Sequence, residues 1–148
     1  MSFLSTFNIS ASGMTAQRLR LDVAAENIAN IKTTRTASGG PYRRKMVRLS
    51  TTDRSFSSAF KNAETAALRN GKGQGVKATA VLSDETELKA IYEPDHPDAD
   101  ENGYIRVPNI DMVKEITDSM AASRSYEADI TAFNATKLMA QRALEIGR

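Results

Sequence analysis

Apolar side chains recur every seven residues in the opening stretch of the chain, at Phe7, Met14, Leu21 and Ile28. Leu4, Ala11 and Ala25 stand three places before Phe7, Met14 and Ile28, and Arg18 interrupts this second row. A period of seven with an offset of three draws one apolar seam along a helix, the pattern of helices packed lengthwise against one another. It predicts a helix from Phe3 to about Ile31. Gly13 lies inside it and costs ~1 kcal/mol relative to Ala, so the seam needs a partner surface to hold it. With Gly13 and Arg18 interrupting the seam and no intrachain core large enough to repay ordering, the terminal helices are expected to be largely disordered in the monomer and to fold on assembly.

A longer helical pattern runs from Ile110 to about Ile146. Asn109 is the expected N-cap, Asp111 suits the positive end of the helix dipole, and Gly147 is the expected stop. Its apolar face is drawn through Met112, Ile116, Met120, Ser123, Tyr126, Ile130, Phe133, Leu138 and Leu144. At ~1.5 Å per residue such a helix spans ~54 Å. A globular domain of this mass has a radius of gyration of only ~15 Å. The helix is therefore expected to protrude or to pack against something outside its own chain.

Residues 32–108 are different in character. Gly39-Gly40-Pro41 marks a turn, and Tyr42–Leu49, Val76–Leu82, Leu88–Tyr92 and Tyr104–Val107 read as short strands. Residues 57–69 are expected to form a short helix or to stay mobile. The expected fold is α+β and mainly α. It divides into an N-terminal helical region 1–34, a β-rich insert 35–108 facing outward, and a C-terminal helical region 109–148.

Composition narrows the chemistry. The 148 residues are 41% hydrophobic and 26% charged, and no stretch approaches the ~18 apolar residues of a membrane span. Cysteine is absent and His96 is the single histidine, which excludes thiolate metal sites, cysteine nucleophiles and centres needing two imidazoles. No basic side chain precedes Arg18, unlike a cleavable secretory signal. Residues 1–75 hold 12 Lys/Arg against 4 Asp/Glu, and residues 76–148 hold 8 against 14. Aromatic residues are not interleaved with the basic ones as in nucleic-acid readers, so opposite patches meeting between subunits fit better.

Three motifs invite sharper readings. Asn70-Gly71-Lys72-Gly73-Gln74-Gly75 suggests a phosphate loop, but Ala66 stands at the first glycine position and Gly73 where Ser or Thr is required. Asp98-Ala99-Asp100-Glu101-Asn102-Gly103 reproduces the first half of a calcium loop, yet Asn109 occupies the place of its bidentate Glu. His96 has no nucleophile beside it in sequence, which leaves a small hydrolase without its second group. No cofactor, metal, nucleic acid or small-molecule substrate is expected.

The two ends carry a resemblance. Ile9-Ser10-Ala11-Ser12-Gly13-Met14 and Leu21-Asp22-Val23-Ala24-Ala25-Glu26-Asn27-Ile28-Ala29-Asn30 resemble the N-terminal signature of bacterial flagellar axial proteins. Ser123-Arg124-Ser125-Tyr126-Glu127-Ala128 and Phe133-Asn134-Ala135-Thr136-Lys137 resemble their C-terminal signature. Gly40-Pro41-Tyr42-Arg43-Arg44-Lys45 and the run from Tyr92 to Tyr104 are similar to the C-type proximal-rod proteins of the flagellar basal body. Glu26 and Arg35-Thr36-Ala37 depart from the pattern common in hook and distal-rod relatives.

The resemblance implies a structural subunit, not an enzyme. It implies terminal helices packed in a coiled-coil-like layer around a tube that transmits motor torque to the hook. The implied partners are copies of itself, other rod proteins and rotor-side basal-body components. The implied location is the periplasmic rod, reached by type III export without a cleaved signal. Another flagellar axial protein and an unrelated coiled-coil adaptor are the alternatives. The expected assembly interface comprises Leu4, Phe7, Met14, Leu21, Ile28, Ile116, Met120, Tyr126, Ile130, Phe133, Leu138 and Leu144. The expected charged contacts set Asp95, Asp98, Asp100 and Glu101 of an acidic loop against Arg43, Arg44, Lys45 and Arg48.

Overall fold

A computed structural model describes residues 3–37, 39–52 and 75–146. The chain is α+β and mainly helical, in the order α1 (Phe3–Ala29), β1 (Lys45–Thr51), β2 (Val76–Ser83), β3 (Lys89–Tyr92), β4 (Tyr104–Val107) and α2 (Met112–Ile146). The short helix or loop expected at 57–69, the glycine-rich stretch up to Gln74 and the Gly147 stop lie outside the described residues.

Helix α1 has no proline and ends on its own side chains. Asn30 Nδ2 donates to the Glu26 carbonyl at 2.9 Å, and Thr33 Oγ1 donates to Asn30 Oδ1 at 3.1 Å. The first gives the Glu26 carbonyl a second donor beside the Asn30 amide, and the second holds the Asn30 side chain in place. Helix α2 begins two residues later than the sequence pattern predicts. Asp111, not Asn109, is the cap: its Oδ1 accepts from the amides of Val113 at 2.9 Å and Lys114 at 3.4 Å. Asn109 is diverted by a stronger tertiary demand, accepting from the Arg44 amide and donating to Thr86 Oγ1.

The helices run antiparallel. Phe7 meets Phe133 edge-on with ring centroids 4.7 Å apart, Asp129 lies over Gly13, and Asn27 bonds Glu115. Small and polar residues fill the seam. Glu115, Ala122 and Thr136 of α2 are buried on a seven-residue spacing with Asp129 between them, and Ala16, Val23, Ala24 and Asn27 of α1 are buried opposite. At Gly13 even a Cβ would stand 2.6 Å from Asp129 Oδ2. Thr136 is accommodated because its hydroxyl donates to the Ala132 carbonyl within the helix.

The strands form two separate antiparallel ribbons. β1 pairs with β2 from Lys45↔Ser83 to Thr51↔Val76, with an irregularity after Arg48 where the Thr79 hydroxyl donates to the Arg48 carbonyl. β1 starts at Lys45 and not at Tyr42, because Tyr42 turns inward and is buried. β3 pairs with β4, and Tyr92 meets Tyr104 across the ladder at 5.3 Å. Gly103 holds φ at +77°, and a Cβ there would stand 2.9 Å from the Tyr92 ring, so the turn into β4 demands glycine. Ile105 and Ile110 complete the buried apolar set, with β1 and β2 laid along α1.

Candidate assembly interface

A buried polar cluster locks α1, β1 and α2 together at one end of the helix pair. Asn27, 1% exposed, uses all its hydrogen-bonding capacity. Its Nδ2 donates to the Lys45 carbonyl at 2.9 Å and to Glu115 Oε2 at 3.0 Å. Its Oδ1 accepts from the Lys45 amide at 2.9 Å and from the Tyr42 hydroxyl at 3.1 Å. Glu115 Oε1 accepts from Arg44 Nε at 2.5 Å, and Arg44 Nη2 reaches Asp118 at 3.4 Å. No described buried side-chain polar atom is left without a partner. A fully satisfied network of this kind fixes one arrangement of the elements, since every alternative strands a charge.

Tyr42 registers the electrostatics of this cluster. Burial, and then the carboxylates of Glu26 and Glu115, push its hydroxyl up to about 12. A phenolate there would face both acids, so the neutral phenol is held as a donor. Beside the cluster lies a cleft of about 140 Å³ lined by Arg20, Val23, Asn27, Arg44, Lys45 and Asp118, among others.

The basic run splits three ways. Arg44 is drawn inward to Glu115 and Asp118, Lys45 pairs with Glu26 and lies over the Tyr42 ring, and Arg43 donates to the Asp84 and Thr86 carbonyls. Arg44 and Lys45 are therefore engaged within the chain, while Arg43 and Arg48 are exposed. In the acidic loop Asp98 bonds Arg35 at 2.5 Å and Thr34 at 2.8 Å, tying the loop to the segment after α1. Asp95, Asp100 and Glu101 are exposed. His96 Nδ1 accepts from the Asp98 amide at 3.1 Å, which is a turn-forming bond. Among the described residues, His, Asp and Glu do not gather into a group able to hold a metal ion.

The face drawn on α2 divides in two. Tyr126 and Phe133 are half-buried, and Phe133 packs on Phe7. Ile116, Met120, Ile130, Leu138 and Leu144 are turned away from α1, at 41%, 52%, 36%, 55% and 74% exposure. On α1, Phe7, Met14, Leu21 and Ile28 are half-buried beside the buried row, and Leu4 is exposed. Apart from the Phe7–Phe133 contact, the helix pair buries small residues internally, and most of the large apolar side chains of α2 are exposed. Sequence reasoning missed Asn27, Glu115 and Asp129 as seam residues. The available signal was an Asn four places after Val23 and three after Ala24, on the same helical face.

Comparison with known proteins agrees with this geometry. Residues 7–35 match the family model described as flagella basal body rod protein, and residues 101–146 match the model described as flagellar basal body rod FlgEFG protein C-terminal. The flagellar basal-body rod protein FlgC of Bacillus subtilis is 44% identical, with 100% of both chains covered. That of Borreliella burgdorferi is 42% identical over 99% of this chain and 98% of its own, and that of Salmonella typhimurium 38% identical over 100% of both. At that identity, over the whole length and at both ends, the chain belongs to the FlgC family of flagellar basal-body rod proteins, structural subunits of the basal-body rod.

Proposed function

We propose that the chain builds the proximal part of the rod by packing its helix pair against copies of itself and other rod proteins. The observation that carries this is the exposure of large apolar side chains on α2 beside a seam already filled with small residues. In water those side chains are a liability of roughly 25 cal/mol per Å² of apolar surface, which burial between subunits would recover. A close-packed seam with a polar lock at one end makes each subunit stiff along its length, as transmission of torque requires. Contacts with rotor-side basal-body components and passage through the flagellar type III apparatus belong to the same reading. So does a location in the rod where it crosses the periplasm.

The exposed acids Asp95, Asp100 and Glu101 would meet exposed Arg43 and Arg48 of a neighbour. Such pairs contribute ~0–1 kcal/mol each and set register more than stability. The experiment is an Ile116→Asp variant expressed in place of the native chain. Because Ile116 is surface-exposed in the subunit, stability should change by less than ~0.5 kcal/mol. Rod incorporation and swimming should nevertheless be lost, and normal swimming would refute the reading.

A further inference from the structure

We infer that strand β3 is a self-complementary edge through which two copies of this chain pair antiparallel, forming a four-stranded sheet in the order β4-β3-β3-β4. The inference stands apart from the rod reading, since it concerns the insert and leaves the helix pair untouched. All four residues of β3 are exposed, Ile91 at 43% and Tyr92 at 63%. Among the described elements β3 packs against β4 alone. A two-stranded ribbon is marginal in water, and an uncovered edge is a template for a further strand.

The ladder itself fixes which backbone groups face outward. The Glu93 amide donates to the Gly103 carbonyl, so Glu93, Ile91 and Lys89 turn their backbone groups toward β4. The alternation of an antiparallel ladder sends those of Ala90 and Tyr92 the other way. Tyr104, opposite Tyr92, agrees with this phase, because its carbonyl accepts from the Asp100 amide outside the ladder. The other ribbon is guarded at such places. The Asn27 side chain occupies both the amide and the carbonyl of Lys45 on β1, and Ser12 Oγ occupies the Val76 amide on β2. β3 carries no such cap among the described residues.

One register satisfies this edge. With Ala90 opposite Tyr92 of the partner, both outward residues of each copy find a hydrogen-bonding partner within β3. Sliding one copy so that Tyr92 meets Tyr92 would set Ala90 against Pro94, which has no amide to give. In the favoured register Ile91 meets Ile91 of the partner on the two-fold axis, beside Ile105 of β4. Lys89 then meets Glu93 of the partner, and the symmetry makes this pair twice. Lys89 and Glu93 are both exposed, and no described ion pair engages either. Opposite-charge and apolar cross-strand pairs are the units that stabilise a sheet. The run Lys89-Ala90-Ile91-Tyr92-Glu93 is therefore complementary to itself in charge and in shape.

Such a pair is closed and two-fold, so it does not propagate. Copies that follow one another along a shaft with a rotor end and a hook end point the same way. The antiparallel pair is therefore a form of the unincorporated subunit. Its contact is small beside the ~1,600 Å² of a standard interface, so it forms at high subunit concentration.

Sedimentation velocity of the full chain over a concentration series tests the pairing. The native chain should pass from monomer to dimer. Lys89→Glu sets Glu against Glu and Glu93→Lys sets Lys against Lys, so each variant alone should dissociate ~10-fold more readily. An equal mixture of the two should recover the native dimer, because every unlike pair is restored between the two variants and within neither. Circular dichroism of each variant should match the native chain. A native chain that stays monomeric at every concentration would overturn the inference. So would single variants that associate as the native chain does, which would place the contact on another surface such as α2. A mixture no more dimeric than its components would overturn the register and with it the inference.

Discussion

Replacing Asn27 by Ala removes the one side chain that touches β1, α2 and Tyr42 together. Four groups lose a partner: the Lys45 amide, the Lys45 carbonyl, the Tyr42 hydroxyl and one oxygen of Glu115. Each unsatisfied buried group costs ~1–3 kcal/mol. The adjoining 140 Å³ cleft lets water reach some of them, which holds each near the low end of that range. The expected loss is ~3–4 kcal/mol. With a urea m-value of ~2 kcal/mol/M for a chain of this size, the midpoint should fall by ~1.5–2 M. The chain has no Trp, so the summed fluorescence of its four tyrosines follows unfolding beside circular dichroism of the helices. Asn8→Ala, on the exposed side of the same helix, serves as control and should stay within ~0.5 kcal/mol. A loss below ~1 kcal/mol for Asn27→Ala would refute the idea that the cluster holds the helix pair.

Tyr42 should ionise near 12 in the folded subunit, read as the step of an ultraviolet pH titration that a Tyr42→Phe variant lacks. Its native value lies above the unfolded value of ~10, so its contribution to stability is full below pH ~10 and is lost as pH rises through about 12. A Tyr42→Phe variant should lose that pH dependence. Gly13→Ala should change stability by less than ~1 kcal/mol, since the Asp129 carboxylate can swing aside and the helix gains propensity. In an Asp129→Ala background the same substitution should stabilise by ~1 kcal/mol, and a double-mutant cycle in denaturant checks the difference.

Periodicity located both long helices because the 3.6-residue repeat and the length of an uninterrupted pattern depend on local sequence alone. It misplaced the start of α2, since Asn109 and Asp111 are both good caps and only the tertiary bond to the Arg44 amide decides between them. The seam was harder to read for a physical reason. Hydrophobic patterning weights large apolar side chains, whereas α1 and α2 meet through Gly13, Ala16, Ala24, Ala122 and a set of satisfied polar groups. The rows Phe7–Met14–Leu21–Ile28 and Met112–Ile116–Met120 that stand out in the sequence flank or oppose that seam. Arg44 and Lys45 read as surface charge for the same reason. Their partners Glu115 and Glu26 lie 71 and 19 residues away, beyond any local rule.

The most direct measurement is an image reconstruction of basal bodies from cells whose rod contains this chain, at a resolution that shows side chains. It should show the α1–α2 pair in the rod wall with the Asn27–Glu115–Arg44 cluster intact. Ile116 and Met120 should lie within ~4 Å of apolar atoms from neighbouring subunits. A rod lacking the chain, or a rod in which Ile116 and Met120 face water, would contradict it.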